Sequence, residues 1–266
     1  MAVRHTADVV GQVPPVVTAA DDVAAWVAGV PVTVADVRRR EDALRAGELA
    51  SRLPVPSSPQ GRNVVRWIVQ LVATEQVVRA EASARGLAVD GDGPRRVLDV
   101  GAALELGGVL ATVLSTVPVA GALRRALTAD VRVTPDVVRA YYDNNIDEFS
   151  RLEARVVDTL PNGTPTSFTV VAGELPPFWQ QALFAASAGD VVRLGADRTF
   201  TVREIHPART EPFADVQDAL AHRLREHDCD RAFAAWAHQR AREVVVLAHG
   251  FEHPGDPSHD DATHRH

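Results

Sequence analysis

The sequence predicts an α+β protein in which a largely helical first half precedes a small antiparallel sheet and a long C-terminal helix. Apolar residues recur at helical spacing through most of the first half. Short segments rich in β-branched residues then cluster between residues 151 and 205, separated by turn residues. Helical spacing returns from Glu211 to about Val246. Strands grouped between two helical regions are typical of the α+β class.

The N-terminal region is predicted to contain a strand pair and a helix. Residues 1–20 are interpreted as a leader, and the strand pair that follows turns at Gly29 and Pro31. Thr33 stands where the side chain of an N-cap residue would begin a helix that continues to about Ala46.

A linker rich in proline and serine, at residues 54–59, separates this region from a long amphipathic helix. That helix is predicted over residues 61–85, with Gly86 as its C-capping glycine. A turn-rich break follows at residues 90–94. Two further helices, separated by Pro118, are predicted over residues 95–114 and 119–127.

The central region begins with a strong helix start at Thr134, Pro135 and Asp136, which combines a hydroxyl cap, a first-position proline and an acid in the first turn. This helix is expected to end near Asn145. The segment Pro161-Asn162-Gly163 suits a hairpin turn, because Asn-Gly tolerates the backbone that such turns require. Strands are predicted at residues 151–160, 167–171, 191–194 and 200–205, with a short helix at 175–186.

Several polar or small residues have unremarkable interpretations. The segment from His227 to Asp230 is interpreted as a helix break or a polar helix face. Close helix packing is the expected role of the adjacent Gly107 and Gly108, since they match no phosphate-binding loop. The histidines outside the C-terminal tail that we expect at the surface are His206, His222 and His238.

Composition argues against several functions. With 266 residues, of which 46% are hydrophobic, the chain is long enough to bury a substantial core. A net charge of −7 without a long basic block argues against a nucleic-acid partner. The chain contains no lysine, which excludes Schiff-base catalysis and the lysine of a phosphate-binding loop.

We expect a cytoplasmic protein without a membrane partner. The longest apolar run, residues 104–119, is interrupted by Glu105 and Pro118 and falls short of the roughly 20 apolar residues of a membrane span. Asp8 and two prolines stand near the N-terminus, where a signal peptide would be apolar. The single cysteine, Cys229, excludes an intramolecular disulfide and fits a reducing compartment.

Four segments resemble a known family. The first, VAAWVAGVPVTVADVRRREDAL, is similar to the start of the N-terminal chaperone region of SurA/PrsA-type folding factors. Three others look like parts of the parvulin-type (PpiC-like) peptidyl-prolyl isomerase domain of that family, in the right order: VTPDVVRAYYDNNIDEFSRLEARVV, GELPPFWQQALFAASAGDVVRL and RTFTVREIHPARTEPFADVQDALAHRLRE. The resemblance implies a chaperone-like helical region joined to an isomerase-derived sheet.

The resemblance also shows where this chain departs from the family. Parvulins normally carry one histidine in the first strand and another in the last, on either side of the prolyl pocket. Val156 and Thr201 occupy those two positions here. The helices and pocket-lining loop that the family inserts after the first strand have only residues 157–173 available. The resemblance therefore implies a degenerate, shortened parvulin domain with little or no isomerase activity.

The C-terminal tail, residues 249–266, contains five of the ten histidines and predicts a metal site. Imidazole and carboxylate ligands without a thiolate suit Zn, Fe(II), Ni, Mn or Cu(II). The first two histidines, four residues apart, would share a helix face, although Gly250 and Pro254 favour an earlier helix end. The alternative is a polar tail that binds nothing. The candidate ligands are His249, His253, Asp256, His259, Asp260, His264 and His266.

The predicted organisation has five parts. They are a leader (1–20), a SurA-like helical region (21–130), a shortened parvulin-like unit (131–210), a C-terminal helix that packs back on the helical region (211–248) and the His/Asp-rich tail (249–266).

Three functions are left open by the sequence. The leading hypothesis is a chaperone or maturation factor that holds an extended polypeptide in apolar grooves between its N-terminal and C-terminal helices. The second is a metal-dependent enzyme of a bacterial biosynthetic pathway, with the tail as its metal site. The third is an active peptidyl-prolyl isomerase. The expected partner is a polypeptide segment, and a homodimer is left open.

Overall fold

A computed structural model describes residues 22–48, 50–87, 98–159, 166–195 and 198–252. The chain divides into two compact units: unit 1 is Met1–Val131 with His227–His266, and unit 2 is Arg132–Glu226. The predicted leader (1–20), the break at 90–94 and the turn at 161–163 lie outside the described residues. Helices combined with small antiparallel sheets confirm the predicted α+β class.

The helices, in chain order, are α1 Val34–Arg45, α2 Pro59–Ala84, α3 Val100–Thr116, α4 Pro118–Leu127, α5 Pro135–Asn144, α6 Pro177–Ala185 and α7 Phe213–Val244. The strands are β1 Val23–Val27, β2 Val30–Thr33, β3 Ser150–Arg151, β4 Ala154–Thr159, β5 Thr166–Val171, β6 Val191–Leu194, β7 Arg198–His206, β8 Arg209–Thr210 and β9 Val245–Leu247. Short 3-10 helices lie at Ala50–Arg52 and Ile146–Phe149. The sheets have the strand orders β2-β1-β9, β3-β8 and β5-β4-β7-β6.

The first hairpin of unit 1 forms as the sequence predicts. Ala28 and Gly29 both have positive φ, 50° and 81°, which is the conformation that a two-residue hairpin turn requires. Pro31 lies in the strand β2 rather than in the turn, opposite Trp26. Proline is tolerated there because β2 is an edge strand, where a missing backbone donor disrupts little pairing.

Thr33 is the N-cap of α1, as predicted. Its hydroxyl accepts a hydrogen bond from the Asp36 N–H at 3.1 Å, and the Asp36 carboxylate accepts one from the Thr33 N–H at 3.0 Å. This capping box satisfies two backbone donors that the first turn leaves without helical partners. Burial raises the pKa of Asp36, but the hydrogen bonds from Thr33 and from Arg39 outweigh it and hold the pKa below its ordinary value.

Helix α2 begins slightly earlier than predicted, with Pro59 in its first turn and Ser58 as the N-cap. Helix α3 begins later, at Val100, because Asp99 supplies the cap, so residues 98 and 99 do not belong to the helix predicted from 95. The helix α4 begins at Pro118, where the predicted interruption falls.

Helix α7 corrects two expectations. The segment from His227 to Asp230 is continuous helix, because Cys229 and Asp230 are buried and face the helical core rather than breaking the turn. The helix also ends at Val244 rather than at Val246, since the last residues of the apolar run form the strand β9 and pair with β1.

The core of unit 1 has two clusters. One lies beneath the sheet and includes Ala24, Val27, Val32, Ile68 and Val77. The other lies among α2, α3, α4 and α7, and includes Leu71, Leu110, Leu114, Leu123 and Phe233. The buried ion pair between Arg124 and Asp230, with Nε and Oδ1 2.7 Å apart, ties α4 to α7 within this second cluster.

Unit 2 is built around the four-stranded antiparallel sheet and α6. The predicted hairpin partners β4 and β5 are paired in register, and β4 also pairs with β7. The guanidinium of Arg155 is buried and donates hydrogen bonds to the carbonyls of Leu183, Phe184 and Ala186, at the C-terminal end of α6. This side chain satisfies carbonyls that a helix end leaves without partners. The core consists of Val157, Val170, Leu183, Leu194, Phe200 and Val202.

A second small cluster in unit 2 joins α5 to the first part of α7. Tyr142, Phe149 and Phe213 pack ring against ring, with centroids 4.8 and 5.4 Å apart. The Tyr142 hydroxyl donates a hydrogen bond of 2.6 Å to the carbonyl of Glu211.

Among the described residues, no individual helix has the length and apolar composition needed to cross a membrane. The adjacent helices α3 and α4 meet that length and composition test only as a pair, and they are bent by 113° at their junction.

Candidate functional site

The candidate site is a cavity of ≈ 650 Å³ in unit 1, which we call the groove. Three helices and one strand surround it: α2, α3, α7 and the edge strand β9. Its lining residues are Gln70, Ala73, Thr74, Leu106, Gly107, Gly108, Val109, Leu110, Ala237, His238, Ala241, Arg242, Val245, Leu247 and Glu252. The groove therefore lies between N-terminal helices and the C-terminal helix, where the leading hypothesis expects one.

The floor of the groove is apolar. Ala73, Leu106, Leu110 and Ala237 are each 2–3% exposed, and none carries a polar side-chain atom. Two of the four are alanines, so the facing helices leave space between them rather than filling it with side chains. The cavity volume of ≈ 650 Å³ falls within the roughly 300–1,000 Å³ range of known ligand sites.

Gly107 interrupts the helix α3 beside this floor. Its φ of 74° and ψ of 157° fall in a region that is essentially restricted to glycine, and they divide α3 into two helical pieces. Gly108, the next residue, is exposed, and an added Cβ there would meet only the Trp67 Nε1 at 3.6 Å. The glycine pair thus breaks a helix and keeps one wall open, which differs from the close packing expected from the sequence.

The rim of the groove is polar. His238 and Arg242 are exposed, lie one turn apart on α7 and form no ion pair with any described residue. Glu252 is already engaged, because its carboxylate accepts a hydrogen bond of 2.6 Å from the Gly250 N–H and lies 3.3 Å from His249 Nδ1. The remaining polar lining residues are Gln70 and Thr74 of α2.

Only one of the predicted metal ligands lies among the described residues. His249 is highly exposed, and the helix α7 ends before it, so His249 is not on a helix face. The other six, His253, Asp256, His259, Asp260, His264 and His266, lie outside the described residues. Within the part of the chain that the structure describes, no group of three or more His, Cys, Asp or Glu side chains is arranged to hold a metal. The metal site stays a prediction.

The two positions that carry histidine in parvulins lie on neighbouring strands. Val156 is in β4 and pairs with Glu204, while Thr201 is in β7 and pairs with Asp158. Both side chains are half-buried. The two positions therefore lie in one antiparallel sheet, on adjacent strands, and hold a valine and a threonine.

One further cluster of titratable groups in unit 2 lies on α5, α7 and the 3-10 helix Ile146–Phe149. The Tyr141 hydroxyl donates a hydrogen bond of 2.7 Å to Glu148, and Arg223 donates another of 2.8 Å to the same carboxylate. The bond to Glu148 raises the pKa of Tyr141, and the bonds from Tyr141 and Arg223 lower the pKa of Glu148. Arg223 and Glu148 are exposed and Tyr141 is half-buried, so the cluster is a network at the surface of unit 2.

The residues of the groove were not singled out from the sequence. Two features pointed to them: the adjacent glycines at 107 and 108, and the β-branched run Val244-Val245-Val246 that follows a long helix. A glycine pair inside an apolar helix marks a break, and a β-branched run favours a strand.

Comparison with known proteins gives one family match and several structural likenesses. Residues 23–60, which include β1, β2 and α1, match a family of unknown function, DUF7158. No curated protein matches this chain.

The structural likenesses are to proteins described as SurA-like chaperones and to PrsA. A structure from the Campylobacter jejuni pair PEB4 and Cj1289, described as SurA-like chaperones, is 10% identical, covers 85% of this chain and 98% of its own, and has a TM-score of 0.43. A second structure of that pair has 11% identity, coverages of 83% and 97%, and a TM-score of 0.39. PrsA from Bacillus subtilis has 13% identity, coverages of 85% and 93%, and a TM-score of 0.22. The likeness is loose in geometry, although it extends over most of each chain.

Proposed function

We propose that this protein binds extended, apolar polypeptide segments in the groove and acts as a chaperone or maturation factor. The observation that carries the proposal is a cavity of ≈ 650 Å³ with an apolar floor and a polar rim. Burying one methylene contributes about 0.8 kcal/mol, so a few aliphatic side chains supply affinity without a defined sequence.

A polypeptide fits the groove better than a small polar metabolite does. Sites for small ligands usually place a few polar groups so that they converge on the ligand and fix its orientation. Here the buried lining residues are apolar, and the polar ones, such as Gln70, His238 and Arg242, lie at the rim. This arrangement favours apolar side chains that enter the floor while the polar backbone of the bound chain stays near the rim.

The proposal does not include prolyl isomerase activity. Catalysis must lower a rotational barrier of about 18–20 kcal/mol, which needs a shaped cradle for the proline ring and polar groups that favour the twisted amide. Val156 has no polar side-chain atom, and Thr201 has only a hydroxyl. We expect no acceleration of cis/trans exchange in a proline-containing peptide, measured by NMR exchange, and robust acceleration would contradict this part of the proposal.

The binding proposal is tested by filling the groove from one wall. In Gly108→Leu, a new side chain enters the cavity at an exposed helical position where the added Cβ has ordinary contacts. We expect about tenfold weaker binding, since the leucine displaces roughly one bound aliphatic side chain. The measurement is fluorescence anisotropy with a labelled, alkylated polypeptide that lacks structure.

Gly121→Leu is the matched control. Gly121 is also helical, lies in α4 of the same unit, and an added Cβ would meet only the Arg125 side chain at 3.7 Å. Because it does not line the groove, this variant is expected to bind like the natural chain. Equal affinity in both variants, or no binding by the natural chain, would refute the groove as the polypeptide site.

A further inference from the structure

We propose that the bound polypeptide joins the three-stranded sheet as an added strand along β9, and that the preferred segment alternates aliphatic residues with polar ones and carries a carboxylate. This inference deepens the proposed function and rests on it. It follows from the position of β9, the direction of its backbone groups and the charges on the rim.

The strand β9 has one paired edge and one open edge. In the strand order β2-β1-β9, its only neighbour among the described residues is β1. Val245 and Leu247, two of its three residues, line the groove. The strand with the open edge therefore borders the cavity.

The register shows which backbone groups face that open edge. The Ala28 N–H donates to the Val244 carbonyl at 2.7 Å, and the Ala248 N–H donates to the Ala24 carbonyl at 3.0 Å. Val246 lies midway between these bonds, opposite Trp26. In an antiparallel ladder, alternate residues point their N–H and C=O groups to opposite sides.

It follows that Val246 faces β1, while Val245 and Leu247 direct their backbone groups away from β1. Groups that point to the open edge of a strand are a template for another extended chain, and peptide recognition by strand addition uses them.

The floor then determines which side chains suit an added strand. Val245 and Leu247 pack on the core cluster that includes Ala73. In a strand beside β9, every second side chain lies on that same face of the sheet, above the apolar floor. The alanines at 73 and 237 leave room for side chains of aliphatic size. The segment is therefore expected to be apolar at alternate positions.

The rim adds a preference for negative charge. Arg242 has a charge without an ion-pair partner among the described residues, and His238 stands one turn away. The acidic lining residue, Glu252, is held by Gly250 and His249. A carboxylate on the bound segment complements Arg242, so an acidic residue at a polar position strengthens binding.

The test uses an eight-residue peptide with aliphatic residues at alternate positions and one glutamate, added to the full chain. Two further versions carry backbone N-methyl groups, one on the aliphatic residues and the other on the polar residues. Pairing with β9 uses the N–H groups of one set only, so one version is expected to bind about tenfold more weakly, the cost of losing one or two backbone hydrogen bonds. Affinity is measured by isothermal titration calorimetry.

The position at which N-methylation weakens binding also shows the direction of the added strand. Residues directly opposite Val245 and Leu247 bond to β9 in an antiparallel ladder, so loss on the aliphatic set indicates an antiparallel strand. Loss on the polar set indicates a parallel strand. Equal affinities for all three peptides would overturn strand addition while leaving groove binding intact. Failure of the unmodified peptide to bind would refute the proposed function as well.

The preference for a carboxylate is tested by one change in the peptide and one change in the protein. Replacing the peptide glutamate by glutamine, or making Arg242→Gln, is expected to weaken binding about two- to fivefold, and the two changes together no more than either alone. Additive losses would overturn the contact with Arg242.

Two outcomes would identify a different occupant of the groove. If the peptide binds only after residues 253–266 are removed, the occupant is the C-terminal end of this chain and not a separate polypeptide. If sedimentation experiments show that this protein self-associates and that self-association prevents peptide binding, the occupant is a second copy of this chain.

Discussion

At the scale of single residues, a buried ion pair joins two helices of unit 1. Arg124 and Asp230 are 6% and 3% exposed at their side chains, and the two residues are 106 positions apart in the sequence. Removing one partner leaves an uncompensated charge in an apolar region, which is costlier than the net contribution of the pair. Cys229, the neighbour of Asp230, is buried as well.

Asp230→Ala is therefore expected to lower the free energy of unfolding by about 3–5 kcal/mol. The measurement is urea denaturation followed by circular dichroism. Asp228→Ala, which changes an aspartate two residues away on the same helix whose side chain is 44% exposed, is the control and should change stability by no more than about 0.5 kcal/mol. A loss below about 1 kcal/mol for Asp230→Ala would show that the ion pair is not a buried one.

The capping box of α1 gives a pH prediction at the same scale. The pKa of Asp36 lies below its ordinary value of 3.8, so the ionised carboxylate contributes stability that is present above that value and is lost as pH falls through the lowered pKa. Asp36→Asn removes this titration. We expect the variant to lose less stability than the natural chain between pH 5 and pH 2, measured by thermal unfolding across that range. Identical pH profiles would contradict the role assigned to this carboxylate.

At the scale of elements, the helix α3 is broken at Gly107, which lines the groove. Its backbone lies in a region where any other residue is strained, by about 1–3 kcal/mol. Gly108 has helical geometry, where alanine is favoured over glycine by up to about 1 kcal/mol. Residue 107 thus requires glycine for its backbone conformation, whereas residue 108 would be more stable as alanine.

Gly107→Ala is expected to destabilise the protein by about 1–3 kcal/mol, whereas Gly108→Ala is expected to leave stability unchanged or raise it slightly. Both are measured by denaturant unfolding. The pair is its own control, because the same atoms are added one residue apart. A similar effect of both substitutions would mean that α3 is not broken at residue 107.

The elements that the sequence predicts well are those with local causes. Thr33 and Thr134 cap the helices that follow them, and the Ala28-Gly29 turn joins β1 to β2, since caps and tight turns depend on a few adjacent residues. The strand β9 was predicted as helix, because its valines continue the apolar spacing of α7 and its partner β1 lies more than two hundred residues earlier. No local pattern contains that pairing.

The candidate site was less predictable than the fold. The sequence suggested a groove between N-terminal and C-terminal helices, but its lining depends on which faces of α2, α3 and α7 meet, which is a tertiary property. The tail is conspicuous in the sequence because five histidines fall within its eighteen residues. Local composition emphasised imidazoles, while the groove is made mostly of alanine, glycine, leucine and valine, which no motif distinguishes.

At the scale of the whole molecule, the metal site predicted in the tail has its own test. Untagged protein is expected to carry a stoichiometric divalent metal that is lost when residues 249–266 are removed, because most candidate ligands lie there. The measurement is elemental analysis of both proteins. Replacing His222 and His238 by alanine is the control and should leave the metal in place. Absence of metal from the natural chain, or its retention after truncation, would contradict the prediction.

Unit 1 is assembled from two stretches of chain that are separated in the sequence by unit 2. Its folding therefore cannot be completed until the second stretch has been synthesised. A ribosome produces β1, α2 and α3 well before α7 and β9, with on the order of ten seconds of translation between them. For that interval the nascent helices have no partner for the apolar faces that later meet α7. Until α7 is synthesised, those apolar faces stay exposed to solvent. The nascent chain of this protein is therefore expected to need protection from aggregation, as do the polypeptides that it is proposed to bind.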